Sequence, residues 1–212
     1  AQEVLTAYTE LETGLTDARF GAKDGISGLV KKLRGLAVMC GRIFIASWEG
    51  ELEEAERLAE RFLGSLHAVS WNEFPEKIKI RTPEGYAHYG LYPETYIHSA
   101  RDFFMDRRPV EAVAVGIRSI GTSLSAVAGA ELERRGCRVH SFTVRPHGHP
   151  FKRAVVFDHA LAAMVKSLSG RPFLIVDEGP GLSGSSFSSV AERLSSLGVP
   201  DGDIIYFPSW EP

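Results

Sequence analysis

The sequence predicts an α/β fold: a doubly wound, mostly parallel sheet with helices on both faces. Three observations carry this. Short apolar runs at 110–115, 137–144, 173–176 and 204–207 alternate with stretches of helical period. Gly116 and Gly136 punctuate that alternation where a strand or a helix should stop. The chain has 212 residues, 44% of them hydrophobic and 24% charged, which suits one folded domain with a real core and excludes a disordered chain.

Taken in order, residues 1–38 are the least patterned. Ile26, Leu29, Val30 and Leu33 share one helical face, so 1–38 reads as a helical extension packed outside the main domain or as the remnant of a longer polypeptide. Residues 42–48 read as a strand. Residues 51–63 read as a helix with Leu52, Ala55, Leu58, Ala59, Phe62 and Leu63 on one side. Its acidic positions form a solvated face, with Glu53 spaced to pair with Arg57. Ile78 and Ile80 alternate with basic residues over 77–81, Pro83 and Gly85 supply a turn, and tyrosines follow over 86–92, which together read as a β-hairpin. A helix is expected over 94–105.

From residue 110 one rhythm repeats. The strand 110–115 leads into a helix from Thr122, with Leu124, Val127, Ala128 and Leu132 spaced for burial. The strand 137–144 is followed by a helix marked by Phe157, Leu161, Val165 and Leu168. The strand 173–176 is followed by one carrying Val190, Leu194 and Leu197, and 204–207 is the last strand. In such sheets ligands bind beyond the carboxyl ends of the strands, so the loops after Val115, Val144 and Val176 are where chemistry is expected.

Composition narrows the function. Lys and Arg number 24 against 27 Asp and Glu, a net charge of −3, so no basic field recruits nucleic acid. The two cysteines, Cys40 and Cys137, cannot supply a four-thiolate zinc site; they read as reduced core thiols in apolar strand-like surroundings, with a single disulfide as the alternative. No stretch approaches the roughly 18 apolar residues of a membrane span, and a cytoplasmic location is expected. The first residue is Ala rather than Met, which fits a trimmed, processed or internally cut start.

The loop after Val176 is the most informative. Asp177 and Glu178 end an apolar strand, and Gly179, Gly181, Ser183, Gly184, Ser185 and Ser186 then open a helix. Backbone N–H groups, hydroxyls and a helix N-terminus make a cradle for phosphate. Two carboxylates beside it suit ligand hydroxyls, as in a ribose 5-phosphate. The plain alternative is a capped helix after an ordinary βα turn. Gly179, Gly181 and Gly184 also match a dinucleotide-binding glycine fingerprint, but no acid follows the next strand. The serine-hydrolase elbow lacks its closing glycine, and a P-loop lacks its lysine.

This segment resembles the ribose-phosphate signature of the type I phosphoribosyltransferases: four hydrophobic residues, two acids, two variable positions, then Thr-Thr-Gly-x-Thr. Asp177 and Glu178 match the acids, and Ser183-Gly184-Ser185-Ser186 is similar to the end of the motif with one extra loop residue; Gly181 and Leu182 depart from it. The turn from Gly116 through Arg118 and Ser119 to Thr122 resembles the family's pyrophosphate loop. Residues 145–153, with Arg145, His147, His149, Lys152 and Arg153, lie where the family has a basic closing loop. A metal site at His147 and His149, or a solvated basic loop, are the other readings. More loosely, the chain looks like bacterial phosphoribosyltransferase-like proteins of stress-response clusters, tellurium-resistance ones included.

The resemblance spans about residues 110–208. It implies a core over 110–212, preceded over 39–109 by flanking α/β elements and a base-gripping hood at 77–92, with Tyr86 and Tyr89 against the base. It implies that the protein binds phosphoribosyl pyrophosphate with Mg²⁺ and passes ribose 5-phosphate to a nucleobase-like acceptor. Asp177 and Glu178 would hold the ribose hydroxyls, touching the metal only through the ligand, and the 179–186 turn with Ser119 would hold phosphates. Arg118, Arg145 and Lys152 would neutralise the departing pyrophosphate. A homodimer is compatible with the chain. Two alternatives stay open: a nucleotide sensor on the same fold, and an NAD-dependent oxidoreductase.

Overall fold

The computed structural model describes residues 1–88, 90–179, 181 and 183–209. In chain order the elements are α1 (Gln2–Phe20), α2 (Gly28–Trp48), α3 (Leu52–His67), α4 (Glu84–His88), α5 (Glu94–Arg107), β1 (Glu111–Ile117), α6 (Ile120–Arg134), β2 (Arg138–Val144), β3 (His147–His149), β4 (Lys152–Ala154), α7 (His159–Ser167), β5 (Phe173–Val176), α8 (Ser185–Ser196) and β6 (Ile204–Phe207). Four strands form one parallel sheet in the order β2-β1-β5-β6, while β3 and β4 pair as a separate antiparallel hairpin. The protein is therefore an α/β protein with a parallel central sheet, as the alternation of runs predicts.

Alternate residues of the central strands feed two cores. Ala112, Leu174 and Val176 join one cluster with α1, α2, α3, α5 and α6. Val113, Val115, Ile117, Phe173 and Ile175 join the other with α7 and α8. This is what right-handed crossovers demand. The chain leaves β1 for β2 through α6 on one face, then reverses past β1 to β5 through α7 on the other face and continues to β6 through α8. The reversal leaves a crevice between the carboxyl ends of β1 and β5, the topological switch point.

Three expectations are corrected. Residues 42–48 are not a strand but the second half of α2, a 21-residue helix. Its run Ile43, Phe44, Ile45 and Ala46 is β-like in composition, but α2 is buried on nearly every side, and such a helix loses its amphipathic signature. Gly41 lets it lie close to α6, since a methyl group there would stand 2.6 Å from the Ala126 carbonyl. Cys40 is accordingly a helical core residue, and both cysteines are free and buried.

The described residues of 77–92 do not make a hairpin. They run without a strand partner over α1, where a methyl group on Gly14 would stand 2.9 Å from Lys79 O and 3.1 Å from Ile78 Cδ1. The segment then turns into the five-residue α4. The alternation of Ile78 and Ile80 is real, but only Ile78 meets α1, and Ile80 is left exposed. The third correction is small: Arg57 Nε donates to Glu54 at 2.9 Å, one helical turn away, rather than to Glu53.

α1 and α2 belong to the larger core through Leu5, Leu15 and Leu33. Between them lies a buried polar network with no signature in the sequence. Arg34 donates Nη1 to Glu12 Oε2 at 3.1 Å and to Thr122 O at 2.9 Å, Nη2 to Ser125 at 2.9 Å and Nε to Ser141 at 2.8 Å. Burial raises the Glu12 carboxyl above its ordinary range, against the pull of Arg34 and Arg118. Such a network ties α1, α2, α6 and β2 into one register, because each member left alone would be an unsatisfied buried group.

Candidate functional site

Asp177 and Glu178 leave β5 directly into the crevice. The N-terminus of α6 faces them, and the Gly121 backbone N–H donates to the Asp177 carboxylate. Only glycine allows this approach, for a methyl group on Gly121 would stand 2.4 Å from Val176 O and 3.1 Å from Asp177 Oδ1. Burial drives the Asp177 carboxyl up to about 7, with the Glu178 charge pushing the same way. Backbone N–H donors of Glu178 and Gly121 and the positive charge of Arg153 hold the rise in check. Ser119, the residue that enters α6, has φ of 126°, a strained conformation for a residue with a side chain. Its side chain is half-buried at the start of α6.

The N-terminal half of the chain closes over this pair. A methyl group on Gly85 would stand 2.5 Å from Glu178 Oε2 and 2.4 Å from Ile120 Cδ1, so α4 sits directly on the second acid. Tyr86 OH and Ser123 Oγ are 2.8 Å apart, and Ser123 donates to Ile120 O at 2.7 Å. Burial raises the Tyr86 phenol above its ordinary value, so it remains a donor at physiological pH. Tyr89 lies outside the described residues. Sequence placed Tyr86 here only by its position in the chain.

The expected cations are distributed differently. Arg118 is completely enclosed: Nε donates to Asp17 at 2.8 Å, Nη1 to Thr143 O at 3.0 Å and Nη2 to Asp24. It is not a free guanidinium at the turn, which corrects the reading of Arg118 as a pyrophosphate ligand. Arg145 is tied to the same cluster, with Nε 2.8 Å from Asp17 Oδ1, Nη2 2.6 Å from Oδ2, and its backbone N–H donating to Asp24 at 3.0 Å. Burial pushes the Asp17 carboxyl up, but Arg145 and Arg118 outweigh it and hold the group below its ordinary value. Burial wins at Asp24, whose carboxyl is raised despite Arg118 and Arg145.

Lys152 and Arg153 stay exposed on β4, and Arg153 is the cation whose field reaches Asp177. Residues 147–154 are an antiparallel hairpin rather than an irregular loop, pairing His147 with Ala154 and His149 with Lys152. The hairpin rests on the glycine- and serine-rich turn: Ser183 and Ser185 both donate to Pro150 O, at 2.6 and 2.5 Å. In that turn Ser185 N–H donates to Ser183 Oγ at 3.2 Å, and Gly181 and Gly184 take left-handed conformations with φ of 60° and 64°. Gly179 and Ser186 are half-buried beside it. Among the described residues no group of three or more His, Cys, Asp or Glu side chains is placed to hold a metal, His147 and His149 included.

The structure thus brings together Asp177, Glu178, Ser119 and Tyr86, with the 181–186 turn under the hairpin that carries Lys152. It takes Arg118 and Arg145 out of the crevice and into a cluster with Asp17 and Asp24. Those two acids and Gly121 were not singled out from sequence, and Gly85 was read only as part of a turn; only the small residues at a strand-to-helix turn hinted at Gly121. A separate cleft of about 480 Å³ lies between α2, α3 and the far end of α6. Its rim is closed by pairs such as Arg42 with Glu133 at 2.7 Å, and it holds none of the switch-point residues.

The fold and crevice define an α/β protein with an acid pair and a glycine- and serine-rich turn at the switch point of a parallel sheet. No family model matches the chain, and no curated protein matches it. No helix among the described residues is long and apolar enough to cross a membrane.

Proposed function

We propose that the protein is a phosphoribosyltransferase-like protein of the type I kind, which binds phosphoribosyl pyrophosphate with Mg²⁺ and transfers ribose 5-phosphate to a nucleobase-like acceptor, releasing pyrophosphate. The single observation that carries this reading is the adjacent carboxylate pair at the end of β5, at the switch point and beside the turn that opens α8. Asp177 and Glu178 accept hydrogen bonds from the ribose hydroxyls, and the N–H groups and hydroxyls of 181–186 take the 5-phosphate. Tyr86, on the segment over Glu178, offers an aromatic face to the base. Lys152 and Arg153 lie on the hairpin over the turn and meet the negative charge that grows on the departing pyrophosphate. Mg²⁺ would sit among the ligand's own oxygens, beside the carboxylates of Asp177 and Glu178. Mg²⁺ supplies charge neutralisation at the pyrophosphate. Buried, unpaired thiols accord with a cytoplasmic location.

A second reading has its own observation. With Arg118 and Arg145 committed to Asp17 and Asp24, two cations expected at the pyrophosphate are withdrawn, which favours a sensor that keeps the ligand site without the chemistry. Release of pyrophosphate on adding a base separates the two. The acid pair itself is tested by Asp177→Asn with Glu178→Gln. Loss of charge-assisted hydrogen bonds at both positions costs on the order of 1.5–3 kcal/mol each in calorimetric affinity. Unchanged affinity in the double variant removes the reading.

A further inference from the structure

Tyr96 and Ser209 are absorbed by nothing above, yet both end on the backbone of the acid pair. Tyr96 is among the largest fully buried side chains, on α5, and its hydroxyl donates to the Asp177 carbonyl oxygen at 2.7 Å. Ser209 lies two residues beyond β6. Its N–H donates to the Glu178 carbonyl oxygen at 2.7 Å, and its hydroxyl donates to the same atom. Burial, with the Asp177 charge adding to it, raises the Tyr96 phenol, which therefore stays a donor at any pH of interest.

The β-ladder makes these anchors necessary. The pairing of β5 with β6 ends at Val176 opposite Phe207, and past it the two chains are joined by a long 3.4 Å bond from Asp177 N–H to Phe207 O and by the Ser209 bond to Glu178 O. Beyond that point the chain has no sheet to fix it, and a strand end carrying two adjacent carboxylates would otherwise turn toward water. The two carbonyls are held by α5 and by the segment after β6. With both peptide planes fixed, the two carboxylates are presented in one orientation.

We propose that Tyr96 and Ser209 are positioning residues for the Asp177–Glu178 pair, holding both carboxylates in the orientation that receives vicinal hydroxyls of a sugar phosphate. The assignment of a sugar phosphate rests on the function proposed above; the anchoring itself does not. It also explains why α5, on a part of the chain remote in sequence from the turn, belongs to the site.

The test removes one hydroxyl at a time. Tyr96→Phe keeps the ring that fills the core. Ser209→Ala keeps the N–H donor to Glu178. Tyr8→Phe is the structural control, since it removes an equally deep tyrosine hydroxyl from Leu33 O, 2.9 Å away and far from the crevice. Three measurements are made on each: thermal stability, calorimetric affinity for phosphoribosyl pyrophosphate with Mg²⁺, and hydrogen exchange of the amides around 177–179 and 207–209. Tyr96→Phe should weaken affinity about 3- to 10-fold, the loss of one net hydrogen bond. It should also speed exchange at the Ser209 amide, and Ser209→Ala should act in the same direction. Tyr8→Phe should lower stability comparably and change neither. Where turnover is measurable, the loss should fall on KM with kcat kept, as expected for uniform binding.

If the unaltered protein does not bind phosphoribosyl pyrophosphate, the proposed function fails, and exchange at 177–179 and 207–209 still decides the anchoring. Exchange and affinity in Tyr96→Phe that match Tyr8→Phe would overturn the proposal. So would an affinity loss explained wholly by a lower melting temperature.

Discussion

Replacing Asp177 by Asn should make the protein more stable above neutral pH and erase part of its pH dependence. The folded carboxyl titrates at about 7 against an ordinary value of 3.8, chiefly because it is buried. A raised carboxyl binds its proton more tightly in the folded state. Its stabilising contribution is therefore fully present below about pH 4 and is lost as pH rises through 7. The full difference corresponds to roughly 4 kcal/mol, and partial access to water reduces it to about 2 kcal/mol. Asn cannot ionise, yet its side-chain oxygen can still accept from Gly121 N–H. In thermal unfolding without ligand from pH 4 to 9, Asp177→Asn should melt about 4–8 °C above the unaltered protein at pH 8. That gap should shrink steadily toward pH 4. Parallel curves over the whole range would refute the account of Asp177 as a carboxyl held against its charge.

Two further outcomes follow from the packing. Arg118→Ala strands Asp24, which is 1% exposed in its side chain, and should cost about 3–5 kcal/mol in urea unfolding, with part regained on adding Asp24→Asn. A variant as stable as the parent would mean that the cluster holds nothing. Gly41→Ala drives a methyl group against Ala126 O and should cost about 1–3 kcal/mol, whereas Gly64→Ala on α3 meets open space and should stabilise by about 0.5–1 kcal/mol. Equal effects in the same assay would contradict the close crossing of α2 over α6.

What the sequence makes legible follows from what each signal reports. Parallel strands buried on both faces are short apolar runs with clear ends, and Phe173–Val176 and Ile204–Phe207 fall where expected. The acid pair and its turn are local and were legible for the same reason. Residues 42–48 misled because a helix buried on nearly every side carries the composition of a strand. Ile78 and Ile80 misled because alternation shows a half-buried extended chain without showing what it lies on. Arg118 marks a deeper limit. Its charge at a strand end looks like a ligand-binding group until Asp17 and Asp24, 101 and 94 residues away, are seen to enclose it. Tyr96 was equally hidden, since nothing local marks a tyrosine on one helix as the partner of a carbonyl 81 residues on.

The central claim is that the crevice at the ends of β1 and β5 receives phosphoribosyl pyrophosphate. Titration calorimetry of the unaltered protein with that ligand and Mg²⁺ tests it most directly. The account predicts saturable binding at one site per chain, competed by ribose 5-phosphate together with pyrophosphate. Absence of saturable binding, or binding that neither compound displaces, would contradict it.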